Sequence, residues 1–182
     1  MKRMKIVLWL LLALPLSGLA ALPELTIELG EPYELAVGGW PRLKRLNNGR
    51  MLVTYCRGTG AYVRASADNG ETWQAYRSER TVFTPPAGMF VGNIDFAQFP
   101  RDHAKYANRI VCALNLRAND PAKEPFHIVS CYSDDDGFTW KGATTNFPAA
   151  VIANERGCYE PSPYINKDGN VEIYFADKSY TP

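Results

Sequence analysis

The sequence predicts an all-β chain built from a repeated unit, and three observations lead to this fold class. An eight-residue motif occurs twice, as SADNGETW at Ser66–Trp73 and as SDDDGFTW at Ser133–Trp140. Short runs rich in Val, Ile and Tyr precede each copy, as is typical of strands. No stretch of convincing length shows the periodicity of a helix. Gly, Asn, Asp and Pro separate the runs, so we expect strands joined by turns.

The strands of the first unit follow one another in a simple order. PRLKRL is predicted as a short strand and NNGR as the turn after it. RMLVTYC and AYVRAS are then the second and third strands, and AYVRAS leads directly into the first motif. The motif is therefore expected to be the hairpin between the third and fourth strands of the unit.

The second unit repeats this order, and a third unit starts it again. NIDFAQF, the turn PRDHAKYANR, RIVCALNLR and FHIVSCYS lead into the second motif. The third unit begins with PSPYI, turns at NKDG and continues into NVEIYFAD. A four-stranded antiparallel unit repeated on this scale is the blade of a β-propeller. We place the blades at about 40–76, 91–142 and 158–182, the last incomplete.

The residues of the motif suit a tight hairpin. Asp68 and Asp135 hold the third position, from which a carboxylate accepts backbone N–H groups across the turn. Gly70 and Gly137 allow the positive φ that such a turn needs. The closing tryptophans are expected to bury their rings between neighbouring blades, which stabilises the fold by about 2–3 kcal/mol each.

The two motifs SADNGETW and SDDDGFTW resemble the Asp-box, or bacterial neuraminidase repeat, of the sialidase superfamily. The resemblance implies a six-bladed propeller in which the boxes lie on the outer rim, away from the substrate. It therefore implies a structural role for Asp68 and Asp135. About two and a half blades are written in this sequence, so we expect it to be the N-terminal part of a longer protein whose closed ring buries both faces of each blade.

The start of the chain predicts export. Within residues 1–20, three basic residues precede the apolar run IVLWLLLALPL, and small residues follow. This pattern indicates a signal peptide, because the run is shorter than the roughly 20 residues needed to span a bilayer. Residues 21–182 then form the propeller of a secreted or periplasmic protein, with no membrane segment after cleavage. The mature chain has 17 basic and 19 acidic residues, a balance that does not suit a nucleic-acid partner.

The four cysteines leave two readings open. An exported chain with an even number of cysteines permits disulfides, and Cys112 and Cys131 lie on strands predicted to be adjacent. Buried free thiols are the other reading. No Cys-x-x-Cys or paired-histidine spacing indicates a metal, and no cofactor is implied.

Candidate site residues lie where the chain enters the first strand of each blade. The entries GGWPRL, FVGNIDF and GCYEPSPYI each contain a glycine within their first three residues, and the innermost strands of a propeller line its central pocket. They contribute Arg42, then Asn93 and Asp95, then Glu160, which we expect to converge. Trp40 offers a ring on which a sugar can stack.

Glu160 is the strongest catalytic candidate. Its segment GCYEPSPYINKDGNVEIYFADK resembles the Gly-x-Trp-Glu-Pro … Asp-Gly … Tyr-Tyr-Ser segment of exo-acting arabinanases, in which the glutamate before proline is a catalytic carboxylate. Tyr159 stands in place of the tryptophan and Ala176 in place of the serine. The resemblance implies that the second catalytic carboxylate comes from a later blade, although Asp95 is a conceivable partner.

A true sialidase is disfavoured by the residues of the first blade. Sialidases grip a substrate carboxylate with three arginines, the first in an Arg-Ile-Pro segment, whereas here proline precedes Arg42. They also place an acid/base aspartate between the second and third strands, where this chain has RGTGAY.

The sequence thus predicts an exo-glycosidase that removes terminal sugars, with Glu160 as one catalytic carboxylate. Arg42, Asn93, Asp95 and Trp40 are predicted to hold the sugar. A carbohydrate-binding propeller without catalysis is the alternative, and a propeller used as an assembly scaffold is a third possibility.

Overall fold

The computed structural model describes residues 3–5, 26–28, 31–73, 79–120, 124–148 and 157–178. Within these residues the chain forms twelve strands and no helix, which confirms the all-β prediction. No helix of the described part is therefore long and apolar enough to cross a bilayer.

Residues 1–35 form a first unit, and the strands described in it make a small ribbon. Strands β1 (Arg3–Lys5) and β2 (Thr26–Glu28) pair antiparallel in this ribbon. Apart from β1, the predicted signal peptide at residues 1–20 lies outside the described residues and stays a prediction.

Residues 36–182 form a second unit that contains three antiparallel sheets. Sheet one consists of β3 (Gly39–Arg45), β4 (Met51–Arg57), β5 (Gly60–Ser66) and β6 (Arg80–Phe83), in that order. Sheet two consists of β7 (Met89–Gln98), β8 (Ile110–Ala118), β9 (His127–Ser133) and β10 (Lys141–Pro148). Sheet three consists of β11 (Cys158–Ile165) and β12 (Val171–Asp177). Each sheet is a meander of sequential neighbours, as the repeated unit predicts.

The main hydrophobic core lies between sheet one and sheet two. Leu52 and Val63 of sheet one pack there with Phe96, Ile110 and Leu114 of sheet two, and all five are almost fully buried. Burial of each such side chain contributes about 1.5–3 kcal/mol. The two sheets therefore bury apolar side chains against each other.

Sheet three covers the opposite face of sheet two. Ile128 and Cys158 are completely buried in this second core, and Phe126, Phe147 and Phe175 pack against them. Sheet two is thus covered on both faces. This explains why nearly every residue of its strand β8 is buried, whereas β3 and β12 in the outer sheets remain largely exposed.

The turns at one end of the sheets are linked by hydrogen bonds. Asn47, in the turn after β3, donates from Nδ2 to the carbonyl oxygen of Phe99 at 2.8 Å, and its backbone N–H donates to Gln98 Oε1 at 2.7 Å. His103, in the turn after β7, lies 3.2 Å from the carbonyl oxygen of Gly169 in the turn after β11. These hydrogen bonds connect the turns of sheet one to sheet two and those of sheet two to sheet three.

The two repeated motifs form hairpin turns with the same hydrogen bonds. In the first, the Ser66 hydroxyl donates to Asp68 Oδ1 at 2.7 Å, and the Thr72 backbone N–H donates to the same oxygen at 2.9 Å. In the second, the corresponding distances are 2.8 Å from Ser133 and 2.8 Å from Thr139 to Asp135. The Thr72 hydroxyl, together with backbone and serine donors, lowers the pKa of Asp68 to about 2.

Gly137 shows how the second motif packs on the neighbouring sheet. Its φ is +84°, and a Cβ there would lie 3.1 Å from Leu52 Cδ1 of sheet one. We expect Gly137→Ala to reduce the free energy of unfolding by about 2–3 kcal/mol, because it adds overpacking to an unfavourable backbone conformation. Urea denaturation measures this change.

Gly49 provides the matched control for that substitution. Its φ of +89° is similar, but no atom lies within 4 Å of the position that a Cβ would take. Gly49→Ala should therefore cost only the conformational part, about 1 kcal/mol. Equal losses at the two positions would contradict the packing of the motif on Leu52.

The four cysteines are free and buried. Cys112 and Cys131 are direct partners in the β8–β9 register, so the prediction that they lie on adjacent strands is confirmed, and of the two readings the structure has free thiols. Burial raises the pKa of Cys112 well above its ordinary value, and it raises the pKa of Cys56 to about 11. These thiols are therefore poor nucleophiles in the folded chain.

Candidate functional site

The first strands of the three sheets, β3, β7 and β11, each place one residue at the same position relative to the turn that follows the strand. Arg42 on β3, Asp95 on β7 and Ser162 on β11 each lie three residues before the last residue of their strand. Each also pairs with the fourth residue of the following strand. These partners are Thr54, Ala113 and Tyr174. The three sheets therefore present these residues at the same level.

Each of these strands also carries an irregularity just before that level. The register shifts between Gly39 and Arg42 on β3, between Val91 and Asn93 on β7, and between Tyr159 and Ser162 on β11. Bulges bend a strand and re-aim a side chain, and they occur often beside active sites.

Trp40 and Glu160 occupy the same place in their respective bulges. Their φ angles are +55° and +53°, and both precede a proline. A non-glycine residue in this region costs about 1–3 kcal/mol, so the surrounding structure has to hold it there. The Trp40 side chain is 49% exposed, and Glu160 is exposed as well. Among the described residues, Glu160 has no hydrogen-bond or ion-pair partner, so its carboxylate is available to a ligand.

Asp95 ties all three first strands together. Its carboxylate lies 2.7 Å from Lys44 Nζ of β3 and accepts a hydrogen bond of 3.0 Å from the Ser162 hydroxyl of β11. The backbone N–H of Phe96 donates to it at 2.8 Å, and Lys44 also donates to the carbonyl oxygen of Phe96. Asp95 is only 7% exposed, so the carboxylate is held as a buried, paired anion.

We call the place where β3, β7 and β11 meet at Asp95 the junction. Asn93 and Arg42 lie on two of these strands, and they differ in exposure. Asn93 is 1% exposed, and its Oδ1 has no hydrogen-bond partner within the described part of the chain. Arg42 is half-buried and donates to the carbonyl oxygen of Pro41 at 3.1 Å. The structure therefore leaves Trp40, Arg42 and Glu160 accessible and places Asn93 and Asp95 beneath the surface. Their contact with a sugar stays a prediction.

Arg117 is a residue of this region that sequence reasoning missed. It lies over Gly92, the bulge residue of β7, where a Cβ would be 2.1 Å from Arg117 Nε. Its Nε donates to Asn115 Oδ1, and Asn115 Nδ2 in turn donates to the carbonyl oxygen of Cys158 at 2.7 Å. The glycine in FVGNIDF is the one signal in the sequence, since it leaves room for a neighbouring side chain.

No group of three or more His, Cys, Asp or Glu side chains within the described ranges is arranged to hold a metal ion. The chemistry available at the junction is that of the exposed Glu160 carboxylate, the paired Asp95 carboxylate, two guanidinium groups and the exposed ring of Trp40. A cleft of about 300 Å³ opens elsewhere, between sheet two and β12, and is lined by residues such as Tyr132, Gly142 and Ile173. It contains none of the candidate site residues.

Comparison with known proteins supports the fold. No family model matches the sequence, and no curated protein matches it either. The chain is similar to solved structures of the α-L-arabinofuranosidase Arb93A from Fusarium graminearum, a β-propeller of glycoside hydrolase family 93. Complexes with an iminosugar inhibitor align with TM-scores of 0.64 for a point mutant and 0.63 for a second structure, at 20% and 19% identity.

These alignments cover 77% of this chain and 40% of Arb93A, so the chain spans less than half the length of that enzyme. At this identity the similarity shows the fold alone. The antiparallel sheets fit a propeller, while the number of blades stays a prediction.

Proposed function

We propose that this chain belongs to a secreted exo-glycosidase that removes terminal sugars from a polysaccharide or glycan. The observation that carries the proposal is Glu160, an exposed carboxylate with no partner among the described residues, held in a left-handed bulge beside the junction of three sheets. A carboxylate so placed can donate a proton to a leaving oxygen or attack a sugar carbon. The similarity in fold to an arabinofuranosidase supports this class of reaction.

In this proposal the other candidate residues have distinct roles. Trp40 stacks on the sugar, and Arg42 donates hydrogen bonds to its hydroxyl groups. Asn93 and Asp95 complete the set of residues that hold the sugar, and both are buried beneath the exposed residues. The second carboxylate of the mechanism comes from a later blade of a six-bladed ring of the sialidase type, in which the repeated motifs are Asp-boxes on the rim.

The proposal is tested by incubating the purified full-length protein, which includes the later blades, with a panel of aryl glycosides and with polysaccharides such as arabinan. We expect release of a single terminal sugar, measured by chromatography of the products and by absorbance of the aryl leaving group. Binding of a glycan without any release, measured by calorimetry on the same panel, would overturn the enzyme and favour the carbohydrate-binding propeller. An axis filled with apolar side chains and no glycan binding would favour the assembly scaffold.

A further inference from the structure

Two cations lie close to one ring beside the candidate catalytic carboxylate. The Cζ atom of Arg117 is 5.0 Å from the centroid of the Tyr159 ring, and Lys178 Nζ is also 5.0 Å from it. Tyr159 directly precedes Glu160 in the sequence. Tyr159 and Glu160 lie in the same bulge of β11, so the two cations lie at the bulge that carries the residue proposed to act on the glycosidic bond.

Arg117 is held in place but has donors to spare. Asn115, which accepts from its Nε, is completely buried and fixed by its own bond to the carbonyl oxygen of Cys158. An arginine carries four further N–H donors on its two terminal nitrogens. None of these donates to a protein group among the described residues. The guanidinium group is thus preorganised, and no described residue accepts a hydrogen bond from its two terminal nitrogens.

A further guanidinium group lies in the same neighbourhood. Burial raises the pKa of the Cys56 thiol, and the charges of Arg117 and Arg42 both act to lower it, so both cations lie near that buried group. Asp95 does not neutralise them, because it is paired with Lys44. Two acidic residues lie on the strands of sheet three at this end, namely Glu160 on β11 and Asp177, which pairs with Cys158 across the β11–β12 ladder.

We propose that Arg117, assisted by Lys178, binds the carboxylate of an acidic sugar, a terminal hexuronic acid, beside Glu160. A guanidinium group matches a planar carboxylate in a bidentate pair, and an ammonium adds charge without that geometry. The inference rests on the proposed glycosidase function and names the class of its substrate.

The test compares pairs of disaccharides that differ only in a carboxylate. Calorimetry gives the affinity for disaccharides ending in glucuronic acid and in glucose, and for those ending in galacturonic acid and in galactose. We expect at least one acid to bind about tenfold to hundredfold more tightly than its neutral partner, as suits a hydrogen bond to a charged group. Equal affinities within both pairs, or no binding of either acid, would overturn the subsite.

Variants then assign the preference to Arg117. Arg117→Gln is expected to remove it, whereas Arg117→Lys keeps part of it. Gly92→Ala tests the same point without removing the charge, because its Cβ would displace the guanidinium group. Lys105→Gln is the matched control, since Lys105 also lies 5.0 Å from a tyrosine ring but in the turn at the other end of β7. A preference that survives both Arg117→Gln and Gly92→Ala would contradict the assignment.

Failure of the subsite and failure of the enzyme are distinguishable in this design. Release of neutral sugars with no preference for acids would support the glycosidase function and contradict the acidic-sugar subsite. An Arg117-dependent preference for acids without release of any sugar would support the subsite and contradict the glycosidase function. Thermal melting of each variant separates a loss of binding from a loss of folding.

Discussion

Replacing Glu160 with glutamine is expected to reduce the rate of glycoside hydrolysis by about 10²- to 10⁴-fold, the contribution typical of a positioned acid or base. Glutamine keeps the shape of the side chain but neither accepts nor delivers a proton at the reacting oxygen. The melting temperature should stay nearly unchanged, because Glu160 is exposed and has no partner in the described part of the chain. Initial rates on the best aryl glycoside and a thermal melt measure the two effects.

A second glutamate serves as the control for that experiment. Glu71 is also exposed and lies in the turn of the first motif, after β5 of sheet one, whereas the bulge of β11 belongs to sheet three. Glu71→Gln should change neither the rate nor the melting temperature. Equal activity of Glu160→Gln and the wild type would remove Glu160 from the mechanism.

Replacing Asp95 with alanine is expected to lower the free energy of unfolding by about 2–3 kcal/mol. The change removes the acceptor of three donors, namely Lys44, the Ser162 hydroxyl and the Phe96 N–H group. Breaking a buried ion pair costs about 3–5 kcal/mol, and we expect less because the Lys44 side chain is 39% exposed and can turn to water. Lys44→Met should cost at least as much, since it leaves a carboxylate that is only 10% exposed. Urea denaturation monitored by tryptophan fluorescence measures both.

An exposed ion pair in the same chain provides the comparison for Asp95. Lys167 Nζ lies 2.8 Å from Asp168 Oδ1, with side chains 88% and 61% exposed. Asp168→Ala should change the free energy of unfolding by less than about 1 kcal/mol, as is usual for surface pairs. If Asp95→Ala were as mild as Asp168→Ala, Asp95 would not be the tie between the three sheets.

Much of the fold was predictable because its determinants are local in sequence. The Ser, Asp, Gly and Thr of each motif close their turn through bonds that span two to four residues, so the motif alone specifies the hairpin. The turns NNGR and NKDG carry Gly49 and Gly169 at φ +89° and +78°, which marks where strands reverse. Strands between such turns follow from their composition.

The candidate site was only partly predictable. Trp40 was predicted from its place near Arg42 at the entry to the first strand, and Glu160 from the resemblance of its segment to that of exo-acting arabinanases. Lys44 and Ser162 were missed because their significance depends on the register between sheets, which places both of them on Asp95. Arg117 was missed because its only signal is Gly92, and a single glycine shows that room is left for a side chain without showing which side chain fills it.

The common level of Arg42, Asp95 and Ser162 has a consequence for how such a protein can diversify. Because each sheet contributes one residue to that level through the same count from its turn, a point mutation exchanges one residue of the level and leaves the strand register of the other two sheets unchanged. An arginine, a carboxylate or a hydroxyl is accommodated at that place by the same backbone. New ligand preferences can therefore arise one repeat at a time, without any insertion that would shift the frame of the neighbouring repeats.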